Sequence, residues 1–347
     1  DTAGVVEQIY RLGKDAGLFG IPDKNFSIIS INKGENNGLA AYGHMSYTIN
    51  EKVSVNGGMR IDNENRKLTI GSQYEKQPRP AIPTMADTTG KSSYGAFSPK
   101  LGIQFQPTAE QLMYLSFSRG FRSGGLTSIS SDPSQVPLSA YNPEFSNMFE
   151  AGIKGKDKNN QFRYAIAFFY NKVMDIQTPL LVLPDAVTII QNAGEMNAWG
   201  LEGEMEVKLA KGLSLQYSGG LTSAKYAVLG VVSNGVQVDL SGNKQVFTPS
   251  TTNYFATQYQ TSIAAHELMF RLEYNHTGKQ FFDLANTIEQ KAYGLVNFRS
   301  SIRTNHFDIS VWGRNLMGKK YINYAYDFGA AHLGNPRMIG IGLGWRL

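Results

Sequence analysis

Between Leu201 and Leu209 the chain alternates without a break. Leu201, Gly203, Met205, Val207 and Leu209 are apolar or small, while Glu202, Glu204, Glu206 and Lys208 are charged. Side chains on an extended strand point alternately to opposite faces, so this run has one oily face and one ionic face. Coiled into a helix, the same residues would scatter their charge around the cylinder and leave no apolar stripe. Hydrocarbon on one side and water on the other satisfies both faces, which is the signature of a transmembrane β-barrel strand.

The pattern recurs along the chain. Val53, Val55, Gly57, Met59 and Ile61 alternate with Ser54, Asn56, Gly58, Arg60 and Asp62; Leu268, Phe270, Leu272 and Tyr274 alternate with Met269, Arg271, Glu273 and Asn275. Phe162, Tyr164, Ile166, Phe168 and Tyr170 make one strand face almost wholly aromatic, and Ile339, Ile341, Leu343, Trp345 and Leu347 close the series. The alternation predicts roughly thirteen strands, near 36–49, 53–74, 95–107, 111–124, 145–157, 161–178, 193–210, 212–226, 250–264, 267–282, 291–304, 307–325 and 336–347. Most have the ten or so residues that a tilted strand needs to cross a bilayer. The connections between them take turns in length. Short ones fall at 50–52, 107–110, 157–160, 210–212, 265–266 and 305–306, and long ones at 75–94, 125–144, 179–192, 227–249, 283–290 and 326–335. Barrels of the outer membrane sort their connections in this way, with short periplasmic turns and long extracellular loops, and a soluble sandwich has no reason to. Residues 1–35 lack the dyad pattern and read as the remnant of an extracellular loop, with a short helical turn around Val5, Val6, Ile9, Tyr10 and Leu12.

Composition narrows the picture further. With 41% hydrophobic residues and a mean hydropathy of −0.27, the chain has no apolar run approaching the ~18 residues of a membrane helix. Its 18 Tyr, 19 Phe and 36 Gly suit aromatic girdles, turns and small-residue faces. Without cysteine it has no disulfide framework, thiolate metal site or catalytic thiol. The net charge of +5 is spread along the chain with no basic block, so a nucleic-acid partner is not expected.

Several motifs, in order, resemble the barrel of TonB-dependent outer-membrane receptors. They are Phe97-Ser98-Pro99-Lys100-Leu101-Gly102 with Tyr114 to Gly125; Asn142-Pro143-Glu144 leading to Glu150-Ala151-Gly152-Ile153-Lys154; Asn192-Ala193-Gly194 leading to Trp199-Gly200-Leu201-Glu202-Gly203-Glu204; Gly313-Arg314-Asn315-Leu316 to Tyr321; and Gly334-Asn335-Pro336-Arg337 before the terminal strand. The resemblance covers 36–347 and implies an all-β fold: a transmembrane antiparallel barrel of 22 strands, of which this chain holds the C-terminal thirteen. It also implies active import of a scarce nutrient, most closely a ferric siderophore-type chelate, with TonB as the energy-coupling partner and outer-membrane lipid around the wall. In that family a plug domain fills the barrel and carries the segment that contacts TonB. Nothing in 1–347 resembles the plug. The last residue, Leu347, stands where the family's assembly signal usually ends in an aromatic, and Trp345 supplies one two residues earlier.

Candidate site residues follow from strand parity. The charges that would face the lumen, and there hold a plug, are Arg60, Lys154, Glu202, Glu204, Glu206, Arg271 and Glu273; the plainer reading is a solvated wall. At the mouth, Arg122 has lumen parity and with Tyr141 offers a fork for an anionic ligand. Arg119 shares parity with Leu115 and Phe117 and points to lipid headgroups. Tyr321, Tyr324, Tyr326 and Phe328 serve either as an aromatic belt or as a ligand shelf, with His332 beside them. The histidines at 44, 266, 276, 306 and 332 show no metal-ligand spacing, no Gly-x-Ser-x-Gly elbow is present, and neither a cofactor nor an enzymatic activity is expected. The competing classes are a passive porin-like barrel, an importer of haem, cobalamin or glycan, and a soluble carbohydrate-binding β-protein.

Overall fold

The computed structural model describes residues 28–74, 86–128, 138–182, 187–233, 236–264, 266–326 and 329–345. The helical turn expected near residues 5–12 and the terminal Leu347 lie outside them. The wall strands are β1 (Ile28–Asn50), β2 (Val53–Tyr74), β3 (Thr88–Thr108), β4 (Gln111–Arg122), β5 (Glu144–Lys156), β6 (Phe162–Met174), β7 (Gly194–Ala210), β8 (Leu213–Ser233), β9 (Thr251–Ile263), β10 (His266–Thr277), β11 (Tyr293–Arg303), β12 (Phe307–Arg314) and β13 (Met338–Trp345). Each pairs antiparallel with the next in sequence, in one continuous path from β1 to β13. One further strand, Val236–Asp239, pairs only with the end of β8.

The register carries one parity across the whole wall. Leu115 lies between Ile103 and Ala151, and Phe117 between Leu101 and Phe149. Farther along, Ile153 faces Ile166, which faces Gly203, and Tyr217 sits between Met205 and Phe255. A slip of one residue anywhere would move a strand's apolar set to the other face. The apolar face is bare: Leu39 is 81% exposed, Ile341 71% and Leu343 79%. Across strands it is tiled by ring pairs, Phe117–Phe149 at 4.9 Å, Tyr217–Phe255 at 4.8 Å and Phe307–Trp345 at 4.8 Å. In water such a surface would drive aggregation, whereas in a bilayer it is the solvated side.

Short turns close one end of the wall. The Asp157 carboxylate caps one of them by accepting the N–H groups of Gln161 and Phe162, both at 2.6 Å, while Asn160 turns through the left-handed region at φ 55°. The Phe162 amide foremost, helped by those of Asn159 and Gln161, holds the Asp157 carboxyl below its ordinary range. At the other end the long connections form rim hairpins, Gly125–Ser128 with Leu138–Tyr141, Gln177–Val182 with Val187–Asn192, and Ile322–Ala325 with Ala331–Leu333. The buried core lies here, where Met196, Tyr226, Leu229 and Val231 pack with Val238, Leu240 and Leu284.

The structure departs from the sequence expectation at several strand ends. β1 begins at Ile28 instead of 36 and β3 at Thr88 instead of 95, so residues 28–35 are strand and the first long connection is shorter than 75–94. Residues 28–35 are Ile-Ile-Ser-Ile-Asn-Lys-Gly-Glu, with isoleucine at both parities and then no apolar residue, and Thr88-Thr89-Gly90-Lys91-Ser92-Ser93 is polar on both faces, so no alternation marks either stretch. Pairing continues through backbone bonds, the Lys67–Glu35 ion pair at 3.1 Å and a Thr69–Thr89 hydroxyl bond at 2.8 Å. The strand expected over 307–325 ends at Arg314. Asn315, with φ 48° and only 3% exposed, turns the chain: its amide donates to the Lys319 and Asn335 carbonyls, at 2.8 and 3.0 Å, and its oxygen accepts the Lys319 N–H at 2.8 Å. Among the described residues, β1 and β13 do not pair with each other, so each presents an open edge.

The parity sets a stability prediction. Ile166→Arg puts a cation on the apolar face and should cost about 2–4 kcal/mol if it sits near the bilayer midplane. Ser214→Arg, on the opposite face, should cost less than ~1 kcal/mol, because lumen positions tolerate charge. Denaturant titration in lipid vesicles measures both, and equal costs would mean that the two faces are misassigned.

Candidate functional site

The polar face carries two kinds of charge. Some are neutralised within the wall. The Arg60 guanidinium donates to both oxygens of Asp62, at 2.6–2.9 Å, and lies 5.9 Å from the Tyr42 ring. Arg271 is a hub on β10, donating to Glu273 at 2.7 Å, Gln258 at 2.9 Å, Gln216 at 2.8 Å and the Tyr254 hydroxyl at 2.6 Å. Tyr254 in turn donates to Glu273 at 2.9 Å. These groups span β8, β9 and β10, so the hub cross-links three strands through side chains. Gln216, Tyr254 and Gln258 were not among the sequence candidates, although their parity placed them on this face.

The other charges stand out from the wall. Glu202 and Glu204 on β7 are exposed, Glu206 is half-buried, and none of the three has an ion pair among the described residues. The register sets Glu204 across Ala165 from Lys154, and Glu206 beside Arg163, which faces Lys156. Lys154, Lys156, Arg163, Glu204 and Glu206 line a hollow of about 640 Å³ near the short turns, basic on the β5–β6 side and acidic on β7. Tyr114, also missed, closes over Gly152 and donates to Glu150 at 2.6 Å. A side chain at position 152 would collide with that ring, which is why a glycine interrupts the strand there.

The mouth candidates fall into two groups. Arg122 is exposed at the end of β4, opposite Glu144. Tyr141 covers Gly125 in the adjoining rim hairpin. Gln177, 5% exposed, fastens this corner: its amide donates to the carbonyls of Ser123 at 2.9 Å and Asn142 at 3.0 Å, and its own N–H donates to Glu144 at 2.8 Å. Asn192 adds a reciprocal pair with Asn142, at 2.7 and 3.0 Å. The second group lies between β12 and β13. There the Tyr324 and His332 rings stack in parallel at 4.9 Å, with Tyr326 edge-on to Tyr324 at 5.6 Å. Tyr321 turns away to stack on Tyr293 at 4.4 Å, and Phe328 lies outside the described residues. The structure thus brings Tyr324, Tyr326 and His332 together and sets Arg122 with Tyr141 at a different part of the sheet.

An antiparallel wall with a bare apolar exterior, a charged interior, short turns at one end and long hairpins at the other is the architecture of outer-membrane barrels. The family model for the TonB dependent receptor-like β-barrel matches residues 3–316, and the chain belongs to that family. The pesticin receptor of Yersinia pestis is 24% identical over 315 residues, covering 87% of this chain and 43% of that protein. This chain therefore spans less than half the length of that relative. The crystal structure of the ferric yersiniabactin uptake receptor FyuA from Yersinia pestis superposes with a TM-score of 0.75 at 21% identity, covering 91% of this chain and 46% of that one. The siderophore receptor PiuA from Acinetobacter baumannii gives a TM-score of 0.72 at 18% identity, covering 90% and 43%.

Removing the hub tests its role. Arg271→Leu removes a charged donor from the Glu273 carboxylate, the Tyr254 hydroxyl and the Gln216 and Gln258 amide oxygens, and should destabilise the wall by roughly 1.5–3 kcal/mol. Gln258→Leu removes one neutral bond and should cost about 1 kcal/mol or less. Unfolding midpoints in detergent measure both, and equal losses would argue against a hub.

Proposed function

We propose that this chain forms part of the wall of an outer-membrane receptor that captures a ferric siderophore-type chelate and imports it with energy delivered through TonB. The observation that carries this reading is the bipolar inner face. A wall that only had to tolerate water could neutralise its charges internally, as Arg60 with Asp62 and Arg271 with Glu273 do. Glu204 and Glu206, sharing a hollow with Lys154, Lys156 and Arg163, and Glu202 farther along β7 instead keep charge available to a partner. Polar, wet contacts of this kind hold a plug without the apolar adhesion that would make its movement costly.

On this reading the open edges of β1 and β13 are paired by further strands of a 22-stranded barrel, since an unpaired edge in hydrocarbon leaves backbone groups unsatisfied. The plug and its TonB-contacting segment belong to the same receptor. The long hairpins face the exterior, and Arg122, Tyr141 and the Tyr324–Tyr326–His332 cluster offer cationic and aromatic surface to an anionic chelate. Support for the cargo class comes from the names of the relatives, a pesticin receptor, a ferric yersiniabactin uptake receptor and a siderophore receptor.

Orientation is tested by epitope tags in the receptor at natural length. A tag after Ser241 should be labelled on intact cells, whereas one at Asn159 should be labelled only after permeabilisation; the reverse pattern would invert the topology. Cargo is tested by uptake of radioactive iron presented as siderophore chelates. Iron starvation should raise expression, and Arg122→Ala or Tyr324→Ala should weaken chelate binding about tenfold, the size of one charge-assisted bond or stacked ring. Iron-independent expression with growth that depends on a glycan or a vitamin would replace the cargo assignment.

A further inference from the structure

The apolar exterior is interrupted by a row of polar residues that the import reading does not use, with Phe121, Phe145 and Met174 following on the same parity beyond it. Arg119, Asn147, Lys172, Asn197 and Lys225 are successive register partners across β4, β5, β6, β7 and β8, all with outward parity. Lys244 extends the row by bridging Lys225 directly. Strands lie about 4.8 Å apart, so Arg119, Lys172 and Lys225 follow one another at intervals of roughly 10 Å. Just below the row runs an aromatic band of Phe117, Phe149, Tyr170 and Trp199, with the Tyr170 hydroxyl donating to Asn197 at 3.0 Å.

The row is short of anions. Lys172 has one partner, Glu195, at 2.8 Å. Lys225 and Lys244 are exposed, and neither has an ion pair among the described residues. Like charges placed directly opposite in a sheet repel, so this pair calls for a counter-charge from outside the chain. The Arg119 guanidinium carbon lies over the Phe145 ring, 4.3 Å from its centroid, with Nε buried and without a hydrogen-bond partner among the described residues. Immediately beneath lies an apolar hollow of about 770 Å³ on the lipid-facing surface, walled by Leu101, Leu115, Phe117, Phe149 and Phe168 over the small floor of Gly57 and Ala151. A cationic row above an apolar trough is complementary to a lipid that has phosphates at its head and several chains below.

We propose that this strip is a binding site for a multiply phosphorylated, multi-chain lipid of the outer leaflet, its phosphates on Arg119, Lys225 and Lys244 and one acyl chain in the hollow. The site rests on the reading that the long hairpins face the exterior, which sets the row at the outer headgroup level. A second copy of the chain is a poorer occupant, because its own row would bring cations against cations.

The test is native mass spectrometry of the full-length receptor extracted in detergent, incubated in turn with a diphosphorylated hexa-acyl disaccharide lipid, the same lipid stripped of phosphate, and phosphatidylcholine. The wild-type receptor should retain the diphosphorylated lipid at least tenfold over the other two. The triple variant Arg119→Ser, Lys225→Ser, Lys244→Ser should lose that preference, and Ala151→Phe, which fills the hollow, should weaken retention while keeping the preference for phosphate. Chelate binding should be unchanged in both. Equal retention of all three lipids by the wild-type receptor overturns the site without reference to any variant, and so does a dimer that carries no lipid. A membrane-embedded receptor without phosphorylated lipid overturns the strip alone, whereas recovery of the receptor from the aqueous fraction overturns the membrane reading of the wall and the strip with it.

Discussion

No peptide N–H or C=O can be left unpaired in hydrocarbon, and most of this structure follows from that requirement. A strand cannot satisfy its own backbone, so β2 through β12 each pair with a sequence neighbour on both sides, and β1 and β13 with one. With the backbone committed to the sheet, the two faces are left to the side chains. The outer face then has to be apolar at every second position, and a single slip in register would expose charge to lipid. Toward the long-hairpin ends of β1, β2 and β3 the pairing continues although the strict alternation lapses, as in Asn63-Glu64-Asn65-Arg66-Lys67.

The inner face answers to a different demand. A wet lumen accepts charge, but unbalanced charge within a wall still repels. The protein resolves this locally around Arg60 and Arg271, each of which gathers its acceptors from nearby positions on the same face. Against that background the unpaired acidic ladder on β7 stands out. The same wall therefore contains both a cross-linked region and an acidic stretch that has no ion pair among the described residues.

Much of the wall was readable from period-two alternation because hydrocarbon permits so few exceptions. Ile166, Leu215 and Ile341 could be assigned to the outer face from their neighbours alone. Legibility failed where the solvent stopped discriminating. Residues 88–93 are polar on both faces, and 28–35 put isoleucine at both parities before turning polar, so neither shows the alternation that separates strand from loop. The stop at Asn315 depends on hydrogen bonds to Lys319 and Asn335, which the pattern does not record. At the candidate site, parity placed Arg271 and Glu273 on the inner face without showing that they bond to each other or that Gln216, Tyr254 and Gln258 complete the set. The stacking of Tyr324 on His332 depends on how a short rim hairpin closes, which spacing alone does not settle.

The corner fastened by Gln177 and Asn192 has a consequence of another kind. Its latch consists largely of neutral amides bonded to backbone carbonyls, with the Glu144 carboxylate as its one ionisable member. Carboxamides do not titrate, and their bonds are screened far less by salt than those between exposed ions. Two rim hairpins joined in this way keep their spacing in brine or weak acid, where a latch of ion pairs would loosen. The geometry of that part of the rim is thereby insulated from changes in the salt and acidity of the medium around it.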